Sequence, residues 1–135
     1  MISANPDVTS EDAARLRVRT RVERAVAEQP PRAAHMASLR DRLVEEVLAR
    51  VPSSRLTGDP DPAGRLPGNA HLAFEGCEAD ALLMLLDADG VSCSTGSACS
   101  SGVPEPSHVL SAMGDPEAAV SSLRFSFGRT STDED

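Results

Sequence analysis

The run Val91–Gly102, VSCSTGSACSSG, places the strongest limit on how this chain folds. Every residue in it except the first is Gly, Ala, Ser, Thr or Cys. Side chains this small bury little apolar surface, so the elements on either side of the run must supply the core. Val91–Cys93 is predicted to be a short strand that leads into a loop. A thiol among such small neighbours has few groups large enough to bury it, which favours an exposed, mobile loop around Cys99.

The composition limits both the core and the partners. The 135 residues are enough for one domain, and three Phe without Trp or Tyr leave Leu, Val, Ala and Met to build its core. A net charge of −8 argues against nucleic acid and anionic membranes as partners. The longest apolar run, Ala81–Leu86, is too short to span a membrane. No secretory signal is visible, so we expect a cytoplasmic chain.

Hydrophobic periodicity predicts a small α/β (α+β) domain in which helices pack on a short β-sheet. Pro30 and Pro31 are expected to break the N-terminal helical region in two. The second of these helices has a clear apolar stripe, and Arg40 is expected to lie outside it. The predicted helices are Glu11–Glu28, Arg32–Val51, Cys77–Ala88 and a short one after Pro106, and the predicted strands are Ala70–Phe74, Val91–Cys93 and Ser121–Gly128. Ser53–Gly68 is expected to be a connection, in which Arg55–Thr57 is compatible with a short extended piece.

Two residues are candidates for chemistry. Cys99 is an exposed nucleophile if its loop is mobile, and an ordinary free thiol otherwise. A dyad with His108 is compatible with the sequence, although no spacing requires it. Arg124 lies in a strand of strict alternation, on the side opposite the apolar residues Leu123 and Phe125. A lone strand Arg is commonly solvated or ion-paired, and it is also a rigid bidentate binder of carboxylates.

The other cysteines point to structural roles. Cys77 and Cys93 are separated by fifteen residues, and Cys93 and Cys99 by five, so there is no C-x-x-C pair. Three Cys with one of the three His could in principle bind a metal, His71 among them. The spacings match no zinc pattern, and no metal site is predicted. Cys93, in a predicted strand, is expected to behave as a small hydrophobic residue.

Four stretches in order resemble the C-terminal part of a cysteine desulfurase, of the long-loop type that supplies sulfur for iron–sulfur clusters. The stretches are RLPGN at Arg65–Asn69, STGSACSSG at Ser94–Gly102, EPSHVLSAMG at Glu105–Gly114 and SSLRFSFGR at Ser121–Arg129. The resemblance covers about Met36 to Thr130. It implies the small C-terminal domain of a fold-type I pyridoxal-phosphate enzyme in the class-V aminotransferase family.

The resemblance also implies roles and partners. Cys99 would take sulfur from L-cysteine held on pyridoxal phosphate, become a persulfide, and pass the sulfur to an acceptor or iron–sulfur scaffold protein, with alanine as the other product. Arg124 would bind the substrate carboxylate. Enzymes of this family are homodimers. On this interpretation, residues 1–31 are an N-terminal extension that is partly helical or disordered, 32–130 the desulfurase domain, and 131–135 an acidic tail.

One requirement of that family is absent from these residues. The cofactor forms a Schiff base with a lysine, and all 13 basic residues here are Arg. No cofactor-binding residue is therefore assigned, and the isolated chain is expected to be inactive without a partner chain that carries the cofactor domain. The alternatives are a non-catalytic sulfur carrier, a module that only contacts a desulfurase, or a truncated relic.

Overall fold

The computed structural model describes residues 10–96 and 106–134. Four α-helices and three β-strands are present in these ranges, together with a 3-10 turn at Pro62–Gly64. None of the helices in the described ranges is long and apolar enough to cross a membrane. The elements are α1 (Ser10–Arg50), β1 (Ser54–Leu56), β2 (Asn69–Phe74), α2 (Ala79–Ala88), α3 (His108–Ala112), α4 (Ala118–Ser121) and β3 (Ser122–Ser126).

The strands form an antiparallel sheet in the order β1-β2-β3. Because side chains alternate along a strand, the register decides which residues share a face. Leu72 lies opposite Leu123, and both side chains are fully buried. His71 lies opposite Arg124 on the other face. The predicted fold class, with helices packed on a short sheet, is confirmed, although β3 is shorter than the predicted strand.

Helices cover both faces of this sheet. On the face that carries His71, the short helices α3 and α4 pack against β2. Their contact residues form a small buried cluster of Ala73, Leu110, Ala118 and Ala119. On the opposite face, Leu39 of α1 and Leu86 of α2 line a groove together with Phe125 of β3. The core is therefore thin and rich in Ala and Leu, as the shortage of aromatic residues requires.

The prediction of two N-terminal helices is wrong, because α1 continues through Pro30 and Pro31. Each proline lacks an amide proton, so the helix loses hydrogen bonds at this point. The Glu28 carboxylate lies beside the proline pair and accepts hydrogen bonds from arginines on both neighbouring turns. Arg24 Nε donates to it at 2.6 Å, and Arg32 Nη2 donates to its other oxygen. The predicted boundary between residues 31 and 32 lies inside α1 and stays a prediction.

Arg40 is buried, against the expectation that it lies outside the packed stripe. Its side chain is only 3% exposed. Arg40 Nη1 donates to the Leu66 carbonyl at 3.1 Å, and Nε donates to Asp41 Oδ1 at 2.8 Å. The stretch before β2 folds over α1 and covers the guanidinium, a tertiary contact that helical periodicity does not report. Arg40 thereby attaches α1 to the segment that leads into the sheet.

The predicted strand at Val91–Cys93 does not form. The amide of Val91 donates to the Leu86 carbonyl at 2.8 Å, and Gly90 adopts a left-handed φ of +83°. These are features of a helix C-cap. The amides of the first residues after α2 donate to carbonyls at the end of the helix and not to a neighbouring strand. Sheet-like pairing begins only at Ser94, which makes an isolated bridge with Arg124.

Gly68 is required by a close approach between two backbone segments. Phe127 N donates to the Gly68 carbonyl at 2.9 Å, and a Cβ at Gly68 would lie 2.5 Å from the Phe127 carbonyl oxygen. We expect Gly68→Ala to lower the free energy of unfolding by about 1–3 kcal/mol, measured by urea denaturation. Gly128→Ala is the matched control, because nothing lies within 4 Å of its Cβ position. Equal unfolding midpoints for the two variants would contradict this packing.

Candidate functional site

Cys99, the predicted catalytic residue, lies outside the described residues, and so does its predicted loop. The structure describes the chain up to Gly96 on one side and from Pro106 on the other. The candidate site is therefore built from Arg124, the predicted carboxylate binder, and from the residues around it.

Arg124 lies in the middle of β3 and has strand-like partners on both sides. On one side β2 pairs with it through His71. On the other side Arg124 N donates to the Ser94 carbonyl at 2.6 Å, and Ser94 N donates to the Arg124 carbonyl at 3.1 Å. Ser94 precedes Cys99 by five positions in the sequence. The segment that leads to the cysteine is thus joined to the backbone of the arginine.

The guanidinium of Arg124 is half-buried and has no ion-pair or hydrogen-bond partner within residues 10–96 and 106–134. Other arginines of the sheet and of α1 are engaged, since Arg55 pairs with Asp115 and Arg42 pairs with Asp133. A guanidinium presents its donors in a planar fork that matches a carboxylate. Because Arg124 stands on a strand paired on both edges, this fork is supported by a rigid backbone.

His71 of β2 is the cross-strand neighbour of Arg124 on the same face of the sheet. Two neighbouring residues fix its side chain. Its Nδ1 lies 2.8 Å from Thr57 Oγ1, and the Thr57 side chain is buried. The Thr57 amide also donates to the His71 carbonyl at 3.0 Å. At the other end of the ring, a Cβ placed on Gly96 would lie 3.1 Å from His71 Nε2. The imidazole thus lies between the residue after β1 and the turn that precedes the cysteine segment.

The environment keeps His71 uncharged. Burial lowers the pKa of His71 below the ordinary histidine value of about 6.5, and the positive charges of Arg124 and Arg65 lower it further. Arg65 donates from Nη2 to the Thr57 carbonyl at 2.8 Å, which holds this second cation nearby. At neutral pH the polar face therefore carries its positive charge on arginines and not on the imidazole.

The remaining cysteines and His108 lie apart from this arrangement. Cys77 and Cys93 are half-buried free thiols. Burial, and then the charge of Asp87, raises the pKa of Cys93, which lowers its thiolate fraction. His108, the alternative partner for Cys99, is the exposed first residue of α3. In the described part of the chain, no group of three His, Cys, Asp or Glu is placed to hold a metal ion.

Sequence reasoning considered His71 only as a metal ligand and did not single out Thr57. The alternation in β2 does place His71 and Asn69 on one face, but it does not say which residue lies opposite. That information is the register, which pairs His71 with Arg124. Gly96 shows its role through a φ of +76° and its closeness to the ring, both of which are tertiary facts.

Comparison with protein families gives one matching model over most of the chain. The model described as aminotransferase class-V matches residues 29–135. Among curated relatives, an IscS-like cysteine desulfurase of Mycobacterium tuberculosis is 52% identical over 134 residues, which cover 98% of this chain and 33% of the relative. The cysteine desulfurase NifS of Azotobacter vinelandii is 50% identical over 99 residues, which cover 73% of this chain and 24% of the relative.

Solved structures agree with these relatives. A structure described as a NifS-like protein superposes with a TM-score of 0.67 at 27% sequence identity, covering 83% of this chain and 27% of that chain. A NifS-like protein from Rickettsia africae gives a TM-score of 0.64 at 25% identity, covering 80% of this chain and 27% of that chain. The chain spans about a third or less of the length of the relatives and structures that it matches.

The lowered pKa of His71 predicts a pH dependence of stability. The unfolded chain binds a proton at His71 at higher pH than the folded chain does. His71 therefore contributes stability above about pH 6.5, and this contribution is lost as the pH falls through that value towards the folded pKa. We expect His71→Gln to flatten the fall in unfolding free energy between about pH 7.5 and 5, measured by urea denaturation. The same flattening in His108→Gln would contradict the assignment to His71.

Proposed function

Because this chain belongs to the aminotransferase class-V family, we propose that it is the part of a cysteine desulfurase that accepts sulfur on Cys99 and holds the substrate carboxylate on Arg124. The observation that carries the proposal is the pairing of Arg124 with Ser94 by two backbone hydrogen bonds. This pairing joins the candidate carboxylate binder to the segment that continues to Cys99. Sulfur transfer from an amino acid needs these two functions side by side.

The reaction proposed for Cys99 is a transfer between two thiols. The Cys99 sulfur bonds to the sulfur of L-cysteine, and the bond between that sulfur and the substrate carbon breaks. The electron pair of the broken bond stays with the carbon, which takes up a proton, so that alanine leaves and Cys99 keeps a persulfide. The thiolate is the reactive form of a cysteine, and an exposed position among small residues suits such a nucleophile.

Arg124 would fix the substrate for this transfer. A carboxylate that accepts two parallel hydrogen bonds from one guanidinium is held in both position and orientation. The half-buried guanidinium has no partner within the described ranges, so substrate binding would break no ion pair there. The neutral His71 opposite Arg124 adds no charge that competes for the carboxylate. Orientation of this kind contributes to rate because it removes the entropic cost of alignment from the chemical step.

The cofactor of this family, pyridoxal phosphate, does not fit the residues of this chain alone. Its attachment requires an amine side chain, and all 13 basic residues here are Arg. We therefore assign the cofactor to a portion of the enzyme outside these 135 residues, in the same subunit or in a partner chain. A homodimer and the isolated chain would both remain inactive without that portion.

The proposed destination of the sulfur is an acceptor or iron–sulfur scaffold protein in the cytoplasm. A persulfide on an exposed segment can be attacked by a second thiol, which is the general route of thiol exchange. The relatives that match this chain are described as cysteine desulfurases, and this favours the desulfurase over a non-catalytic carrier.

The test is mass spectrometry of the chain after incubation with L-cysteine and pyridoxal phosphate, with and without a cysteine desulfurase as the cofactor-containing partner, in which the partner's own loop cysteine and carboxylate-binding arginine are replaced so that both functions must come from this chain. We expect a gain of one sulfur atom on Cys99 only when the partner is present. Cys99→Ser should abolish the gain because the accepting thiol is lost. Cys77→Ser and Cys93→Ser are matched controls that should keep it.

The same assay examines Arg124. Arg124→Lys should slow loading at low L-cysteine concentration and not at saturation, because a single ammonium replaces a bidentate fork. Arg129→Lys, at an exposed position, should have no effect. Loading that is absent with every partner would refute Cys99 as the acceptor, and loading insensitive to Arg124 would refute Arg124 as the binder of the substrate carboxylate.

A further inference from the structure

The contacts of His71 are not used by the function proposed above. Its ring is held at Nδ1 by the Thr57 hydroxyl, and Thr57 is itself fixed because its backbone amide donates a hydrogen bond to the His71 carbonyl. This arrangement leaves Nε2 as the outer edge of the ring. That edge lies against Gly96, at the beginning of the segment that leads to Cys99.

Gly96 is fitted closely to the imidazole. A Cβ on Gly96 would lie 3.1 Å from His71 Nε2 and 3.9 Å from Cδ2. The first distance is shorter than an ordinary van der Waals contact between carbon and nitrogen, so a side chain at Gly96 would require the ring or the turn to shift by a few tenths of an ångström. The Gly96 amide donates to Ser94 Oγ at 3.1 Å, which closes a turn between the two residues. The Ser94–Gly96 turn therefore places the Cβ position of Gly96 against the ring.

Two points fix the direction of a chain, and this turn has two. Ser94 is fixed by the backbone of Arg124 on the free edge of β3. Gly96 is fixed by a side chain from β2, which lies on the other side of β3. The turn consequently leans over the sheet face that carries Arg124. Without the ring, the pairing at Ser94 would be the remaining contact among residues 10–96 and 106–134 that sets the direction of the turn.

We propose that His71 is a positioning residue that acts through Gly96 and directs the Ser94–Gly96 turn over Arg124. Its consequence for sulfur acceptance rests on the proposed function, whereas the contact with Gly96 is tested without it. Thr57 contributes to this role because its contact with Nδ1 fixes the rotation of the imidazole.

A double-mutant cycle tests the contact. Gly96→Ala should lower the urea midpoint of unfolding more than Gly90→Ala does. Both glycines have a left-handed φ, +76° and +83°, but nothing lies within 4 Å of a Cβ at Gly90. In a His71→Ala background the excess for Gly96→Ala should vanish, while the shift for Gly90→Ala should be unchanged. An excess that survives removal of the ring overturns the proposal.

Sulfur loading of Cys99, with the same partner that lacks its own loop cysteine and carboxylate-binding arginine, tests the role in positioning. Asn carries a polar atom near the position of Nδ1 but does not reach Gly96, whereas Gln reaches about as far as Nε2. We expect His71→Asn to lower the loading rate at saturating L-cysteine about tenfold and to leave the half-saturating concentration unchanged. His71→Gln should restore most of the rate. A purely structural role would not separate these two variants.

The outcomes distinguish the positioning role of His71 from the proposed function of the chain. Loading at the wild-type rate in His71→Asn, with the coupling between His71 and Gly96 confirmed, overturns the positioning role and leaves the proposed function intact. If wild type and all variants fail to load sulfur, the proposed function is refuted, and with it the consequence of the contact for sulfur acceptance. Slow loading in His71→Asn that His71→Gln rescues supports both.

Discussion

The exchange of two backbone hydrogen bonds between Ser94 and Arg124 is the interaction on which the candidate site depends. It forms an isolated β-bridge along the edge of β3 that β2 does not occupy. Arg124 N donates to the Ser94 carbonyl at 2.6 Å, and Ser94 N donates to the Arg124 carbonyl at 3.1 Å. Through it, a segment of small residues with almost no apolar surface is attached to β3, in which Leu123 is fully buried. Because the same residue presents a guanidinium without a partner among residues 10–96 and 106–134, the anchor of the segment and the candidate binder of substrate coincide.

The sheet makes this possible by separating its two faces. Leu72 and Leu123 face the long helix and are fully buried, which stabilises the strands in one register. The same register places His71 beside Arg124 on the other face. A slip by one residue would exchange the faces and bury the guanidinium. The apolar pairs thus determine where the polar groups meet, although they lie on the opposite side of the sheet.

Much of the fold follows from local sequence pattern, and the site does so only in part. The alternation in SLRFSFG predicts a strand with Arg124 on the polar side, and the apolar run before Gly90 predicts α2 and its left-handed cap. The motifs around Cys99 and Arg124 indicate the family, which the comparisons confirm. These features are local or repeat a known pattern, so one sequence is enough to see them.

The errors share a physical cause, because each concerns specific hydrogen bonds or packing contacts that a hydrophobic pattern does not report. The proline pair is a strong local breaking signal, yet the carboxylate of Glu28 bonds to arginines on both sides and α1 continues. Arg40 has a polar side chain on a helix and is nevertheless covered by the stretch that ends at Leu66. The contact of His71 with Gly96 depends on strand register and on a turn. None of these can be read from periodicity.

Amide hydrogen exchange of the folded chain tests the central claim most directly, because it reports the two bonds between Ser94 and Arg124 individually. If these bonds anchor the segment to the sheet, the amide of Ser94 should be protected to nearly the same degree as that of Arg124 and as the amides shared by β2 and β3. Exchange of Ser94 at the rate of an unprotected amide, with Arg124 and the β2–β3 amides still protected, would contradict the account.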